Sequence, residues 1–250
     1  MLKSEHRSMN GMDEAFIIKK QQFKYNRGLV MKGKYGSTLL ILLAALFASH
    51  SLHASTLVGG CGSLENDYGP FDYTNYDDYK NKLPVVEQFH FSYNVEALIK
   101  GLSDDIYGDL EYSLFAFPNH HRALVSLSKY EFEVDNAQVL LLEKNMSVDC
   151  YFQRAIAFKP SDAVVRLIYA TYLHKKRYFD KAEIQYNKAL AVSPSSAEAH
   201  YNAGLFFLDS NKLNLAVKHG QKAYELGYPL PGLKNKLIKK GVWNTTVSQN

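Results

Sequence analysis

The sequence has a single tryptophan, only two cysteines and no Cys-x-x-Cys pair, which leaves a thiol redox motif or a zinc knuckle without support. No apolar run reaches the roughly 20 residues that span a bilayer as a helix, so a polytopic membrane protein is excluded. Gly-x-Ser-x-Gly, a phosphate loop, a dinucleotide fingerprint and His-Glu-x-x-His are all missing, and no enzyme class gains positive support. A strong charge of one sign is missing too. The net charge is +4, but residues 1–37 alone hold eight Lys/Arg against three Asp/Glu. From 55 to 250 the count is 21 basic to 22 acidic, so the basic balance belongs to the leader and is no argument for nucleic-acid binding.

What is present is an ordinary globular composition, 46% hydrophobic and 22% charged over 250 residues. That excludes global disorder and leaves room for one domain of usual size, or two small ones, plus a tail. The charge is polarised. Residues 55–128 carry 4 basic and 11 acidic groups, and residues 129–250 carry 17 and 11. The two ends can attract each other, face different partners, or be two solvated faces.

Residues 38–48 are an uncharged apolar run preceded by Lys32 and Lys34 and followed by small and polar residues up to Ala54. This is the three-part build of a secretory signal, with cleavage expected after Ala54 and an uncleaved anchor as the alternative. Counted from Met31 the charged region has normal length, so residues 1–30 read as an over-extended start and 31–54 as the signal. Val58-Gly-Gly-Cys61 loosely resembles a lipobox, but 12 residues separate Ala48 from Cys61. In an exported chain, Cys61 and Cys150 suggest one disulfide, the alternative being two separate buried thiols.

Pro118, Pro160, Pro194 and Pro229 each close a helical pattern, at spacings of 42, 34 and 35 residues. A proline cannot continue the hydrogen-bond ladder, so each redirects the chain. Small residues recur in register: Ala170, Ala182 and Ala189, then Ala216 and Ala223, with Tyr186 as the aromatic between them. Residues at these spacings let two helices approach closely while large apolar groups fill the gaps. The stretch 197–204, Ala-Glu-Ala-His-Tyr-Asn-Ala-Gly, continues the pattern.

On these residues, 162–228 resembles the tetratricopeptide-repeat (TPR) family, and weaker units extend the likeness back to about 87. Cys61-Gly-Ser-Leu-Glu-Asn, Gly69-Pro-Phe-Asp-Tyr73, Phe117-Pro-Asn-His-His-Arg-Ala-Leu124 and Gly227-Tyr-Pro-Leu-Pro-Gly232 also resemble uncharacterised exported bacterial repeat proteins. The resemblance implies an all-α fold, a right-handed solenoid of about 3–4 helix-turn-helix repeats whose concave face binds peptides or protein segments. The expected layout is a leader at 1–54, an irregular Tyr-rich segment at 55–93, a helical domain at 94–243 and a tail at 244–250. The best repeats are 162–195 and 196–229, with a capping helix at 231–241. The second unit takes 119 to about 132 as its first helix and carries an insertion near 133–146. The first unit takes 94–102 as its first helix, and Ser103 as the N-cap of its second. Phe71 and Tyr73 are expected to dock on the first repeats.

The family pattern turns Leu167, Thr171, His174 and Lys175 of one repeat towards the groove, and Glu198, Tyr201, Asn202, Leu205 and Asp209 of the next. In related repeats the Asn at the Asn202 position bonds a ligand backbone. The position that holds a carboxylate-gripping Lys in some members is Leu167 or Tyr201 here, so that clamp is not expected. His120 and His121 point about 100° apart on a helix and converge poorly on a metal, and Glu87-x-x-His90 has no second copy of a di-iron half-site. Asp104, Asp105, Asp109 and Glu111 lack a calcium-loop spacing and read as a solvated helix face. The reading is a non-catalytic periplasmic scaffold that binds a protein or peptide ligand, without cofactor, metal, nucleic acid or stable membrane insertion. The alternatives are a metal-dependent enzyme using His90, His120 and His121, and a structural subunit whose groove is filled by its own N-terminal segment.

Overall fold

The computed structural model describes residues 58, 60–103, 105–133 and 146–243. The leader, the insertion within 134–145, Asp104 and the tail 244–250 lie outside the described residues. The fold is all-α. Eleven helices succeed one another among the described residues: α1 (Tyr76–Asn81), α2 (Leu83–His90), α3 (Tyr93–Glu96), α4 (Ile106–Ala116), α5 (His121–Glu133), α6 (Val148–Phe158), α7 (Ala163–Lys175), α8 (Phe179–Val192), α9 (Ala197–Asp209), α10 (Leu213–Glu225) and α11 (Gly232–Lys239). Antiparallel neighbours pack as pairs, most extensively α7 with α8 and α9 with α10, and each pair stacks on the next in chain order. This is a helical solenoid.

Local chemistry explains the start and stop of each repeat. The Asp162 carboxylate accepts from the Val164 and Val165 N–H groups at 3.0 and 3.2 Å, and Ser196 Oγ accepts from Ala199 N–H at 3.1 Å. Both satisfy donors that the first helical turn leaves open. The turn inside each pair is closed by a residue in the left-handed region, Arg177 at φ 65° and Asn211 at φ 59°. In both turns the amides bond back, Tyr178 to Leu173 and Lys212 to Phe207, giving the same helix-ending motif 34 residues further on. Gly241, at φ 70°, ends α11 in the same way, with Val242 N–H on the Leu237 carbonyl. Pro231 stands at the N-cap of α11 rather than at its first helical position.

The core follows the small-residue register. Ala170, Ala182, Ala189, Ala216 and Ala223 are all buried, and Tyr186, Phe206 and Leu173 fill the space between the helices they bring together. α11 closes the stack by burying Leu233 and Leu237 while its lysines stay exposed. At Gly204 the approach of helices α9, α10 and α11 leaves no room for a Cβ, which would collide with the buried Leu233 side chain.

Two expectations are corrected at the N-terminal end. The Tyr-rich segment is not irregular throughout: Asn75 caps α1 by accepting from Asp77 and Asp78 N–H, and Pro84 sits in the first turn of α2, where its missing donor costs nothing. The first helix of unit one is only the single turn α3. Leu98 adopts φ 58°, and Leu102 and Ser103 are drawn instead onto the buried carboxylate of Asp109, which accepts from both N–H groups and from Ser103 Oγ. Ser103 is thereby used up, and Asp105 is the N-cap of α4 through Gly108 N–H at 2.7 Å.

Cys61 and Cys150 form a disulfide with a Cα–Cα distance of 5.2 Å. It pins the start of the N-terminal segment to α6, where buried Arg154 donates to the Cys61 and Ser63 carbonyls and lies over the Phe115 ring at 4.6 Å. Phe71 docks against Phe117, ring centroids 5.4 Å apart, in a small satellite core with Leu83, Val86 and Ala116.

Candidate functional site

A concave groove of about 360 Å³ runs across α5, α7 and α9. These are the first helices of three successive pairs, so the groove is the inner face of the stack. Its apolar floor comes from Val125, Phe132, Leu167, Ile168 and Tyr172, with Val164 exposed at one side. Its polar rim comes from Lys129, Lys175, Glu198 and Asn202, with Ser128 and Thr171 between. Lys175 Nζ lies 4.0 Å from the Phe132 ring centroid, so one rim cation is held over a groove aromatic. Neither Lys129 nor Lys175 has an ion-pair partner among the described residues. On the far side of Tyr172, the hydroxyl donates to Glu131 at 2.6 Å and Lys176 holds the same carboxylate at 2.5 Å, fixing the ring that forms part of the floor.

Five of the nine residues expected in the groove line it: Leu167, Thr171, Lys175, Glu198 and Asn202. Asn202 spends its amide on the Glu198 carbonyl at 3.0 Å and must exchange that bond to serve a ligand. Tyr201 is corrected. It is buried, stacks on Tyr228 with centroids 4.1 Å apart, and faces the C-terminal cap. The Tyr228 ring and the start of α11 at Gly232 claim the Tyr201 side chain, while Asn202, one position on, stays at the groove. Leu205 packs against the main core. His174 and Asp209 bond each other at 3.1 Å, and Asp209 lines a separate depression with Lys236, Lys239 and Lys240. The α5 contribution, Val125, Ser128, Lys129 and Phe132, was missed, although its spacing of three and four along one helix face is visible in the sequence.

The histidines do not converge. His90 bonds Asp109 at 3.1 Å and stacks on Tyr112, while His121 bonds Asp162 at 2.8 Å. His120 is fully buried between Tyr73 and Phe91. Its Nδ1 accepts from Ala123 N–H at 3.3 Å, which makes His120, not Asn119, the residue that caps α5 and leaves the proton on Nε2, 3.3 Å from Glu87. Burial pushes its pKa below the ordinary value, against the pull of Glu87. Among the described residues no group of three or more His, Cys, Asp or Glu is arranged to hold a metal ion.

The Asn-His-His stretch instead ties three segments together. Asn119 accepts from Tyr73 N–H at 2.9 Å and donates to Asp72 at 2.8 Å and to Asp162 at 3.1 Å. Lys159 closes the other side of Asp72 at 2.7 Å. Burial opposes the charged forms of Asp72 and Asp162, but the hydrogen bonds outweigh it and hold both carboxyls below their ordinary range: those of Lys159, Thr74 and Asn119 at Asp72, and chiefly that of His121 at Asp162. Residues 61–93 therefore dock on α4, α5 and α6, and none of them lines the groove. The reading in which this segment fills the groove is not what the described residues show.

No protein-family model and no curated protein matches the chain.

Proposed function

We propose that the protein is a non-catalytic, exported scaffold of the TPR type that holds a segment of a partner protein in the groove between α5, α7 and α9. The observation that carries this reading is the groove itself, an apolar inner face built from three successive first helices and left uncovered by the N-terminal segment. Its occupant is a helix or extended stretch that offers apolar side chains to Val125, Ile168 and Phe132 and a carboxylate to Lys129 and Lys175. Asn202 and Glu198 serve the occupant's backbone at the other rim. The disulfide and the leader pattern support export to an oxidising compartment, the periplasm, with a role in cell-envelope assembly. Among the described residues no helix is long and apolar enough to cross a membrane.

The test compares affinity capture from envelope extracts by the wild type and by Lys129→Glu/Lys175→Glu. Both lysines are exposed, so the fold is retained. A captured segment is then measured by calorimetry against both proteins, with circular dichroism as the control. Reversal of two rim charges is expected to weaken binding about tenfold or more, 1.4 kcal/mol at least. Equal affinity for both proteins rejects groove recognition.

A further inference from the structure

The two ends of the helical stack are complementary to each other. Each pair packs on its neighbour in chain order, from α2 and α3 on α4 through to α11 on α10, so the N-terminal helices and α11 occupy opposite ends. Terminal repeats of a solenoid have no neighbour on one side and need a polar outer surface to stay apart. The N-terminal end is only partly polar. Within 18 residues it exposes Val85, Phe89, Tyr93, Ile99 and Leu102, with Tyr93 at 76%, Ile99 at 64% and Phe89 at 57%. Val85 and Phe89 lie one turn apart on the same face of α2. Its sequence is also acidic: residues 61–116 hold 11 Asp/Glu and three Lys, with Glu87 and Glu96 paired to Arg122 and Asp72 to Lys159. Exposed Glu65, Asp67 and Asp77 take part in no ion pair among the described residues.

The opposite end has the reverse character. Residues 226–243 contain four lysines, Lys234, Lys236, Lys239 and Lys240, and no acidic residue. None of the four forms an ion pair among the described residues, and Asp209 beside them is taken by His174. Among these lysines Leu230 and Ile238 stand exposed at 56% and 51%. A surface with unpaired cations and two exposed aliphatic side chains faces away from one end of the stack. The N-terminal region carries unpaired anions and a larger exposed apolar patch.

We propose that the N-terminal end of one molecule docks on the α11 end of a second copy, head to tail. Ile238 of α11 and Leu230, just before it, meet the Val85–Phe89 face of α2, and the lysines of this end meet the unpaired carboxylates of the N-terminal region. The contact is heterologous, so each molecule keeps one free end of each kind and copies add in series unless the rotation closes a ring. Charge complementarity and apolar burial together supply the affinity, so that neither suffices alone, and the charges also set the register and speed encounter. The groove on α5, α7 and α9 stays open in such a series, so this assembly is independent of groove binding.

The test uses protein purified after expression from the full 250-residue sequence. Sedimentation velocity is run over a range of concentrations, at low salt and at about 0.5 M salt, where screening shortens to a few Å. The expected result is a mass that rises with concentration at low salt and returns to the monomer at high salt. Phe89→Asp and Ile238→Asp change exposed side chains, and each variant alone is expected to be monomeric with an unchanged helical spectrum. Their equimolar mixture should give dimers and nothing larger, because each supplies the end that the other lacks. Three results overturn the proposal: a wild type monomeric under all conditions; an Ile238→Asp variant that still self-associates, which means like ends pair; or a mixture that does not pair. Binding of vesicles of anionic phospholipid by a protein that stays monomeric in solution assigns the α11 lysines to a lipid surface instead.

Discussion

Asn119, just before α5, is fully buried, yet it bonds the N-terminal segment and the cap of α7 at once. Removing one member of such a network leaves its partners desolvated and unpaired, which costs more than the bond itself contributes. Asn119→Ala strands Tyr73 N–H and deprives Asp72 and Asp162 of a donor. A loss of roughly 1–3 kcal/mol is expected in urea denaturation; a midpoint shift within error would show that water replaces the amide at no cost. The same residue marks a limit of sequence reading. Asn before a helix suggests an N-cap, but the cap here is His120, because Tyr73 and two carboxylates compete for the amide. Gly69, at φ 128°, makes a similar point: a Cβ there would meet the Ala116 carbonyl at 2.6 Å, a constraint set by a segment 47 positions away.

At the scale of the helix, the repeated small residues are the main determinant. Ala182 and Ala189 of α8 are buried against α7, and Ala216 and Ala223 of α10 against α9. Ala189→Leu inserts three heavy atoms between closely packed helices that cannot separate without breaking their other contacts. The expected cost is about 1–3 kcal/mol, seen as a lower melting temperature. Exposed Lys188→Ala, one position away, should leave it nearly unchanged, within about 0.5 kcal/mol. Equal melting temperatures for the two variants would show that the register along α8 is wrong. The helices of the best repeats were legible because caps, turns and packing positions all repeat locally. The first helix of unit one was not legible, because Asp109 on α4 captures amides that a helix from 94 to 102 would have used internally.

For the whole molecule, protonation gives the clearest prediction. Burial lowers the pKa values of His120, His174 and His219 below 6.5, to about 4 at His219, where His200 and Lys218 add to the effect. The unfolded chain therefore binds more protons than the folded one as pH falls from 6.5 towards 4, and stability is lost through that window. Asp72, Asp109 and Asp162 are held below their ordinary value of 3.8, so their contribution, present above that value, is lost at still lower pH. Urea unfolding free energies should be flat above pH 7 and fall by about 1–2 kcal/mol by pH 4.5, a magnitude reduced by solvent around the half-exposed His219 ring. Stability that rises between pH 6.5 and 4.5 would reject this account. The Cys61–Cys150 bond acts over a longer range, closing a separation of 89 residues and restricting the unfolded chain.

The sequence by itself determined the all-α class, the two regular helix pairs with their 34-residue period, the closing helix, and the two thiols available to pair. Each of these depends on near neighbours: a capping side chain within three residues, a proline after the last turn, an alanine at a fixed distance along one helix. Only the tertiary structure decided which side chains reach the groove. Tyr201 and Asn202 are consecutive, yet one is sealed under α11 and the other lines the groove, because α11 packs on α9 from one side only. It also decided that the N-terminal segment binds α4, α5 and α6 and leaves the groove open, through a disulfide and an asparagine whose partners lie 89 and 46 positions away. Such contacts have no period in the chain, and they appear only when the helices have stacked.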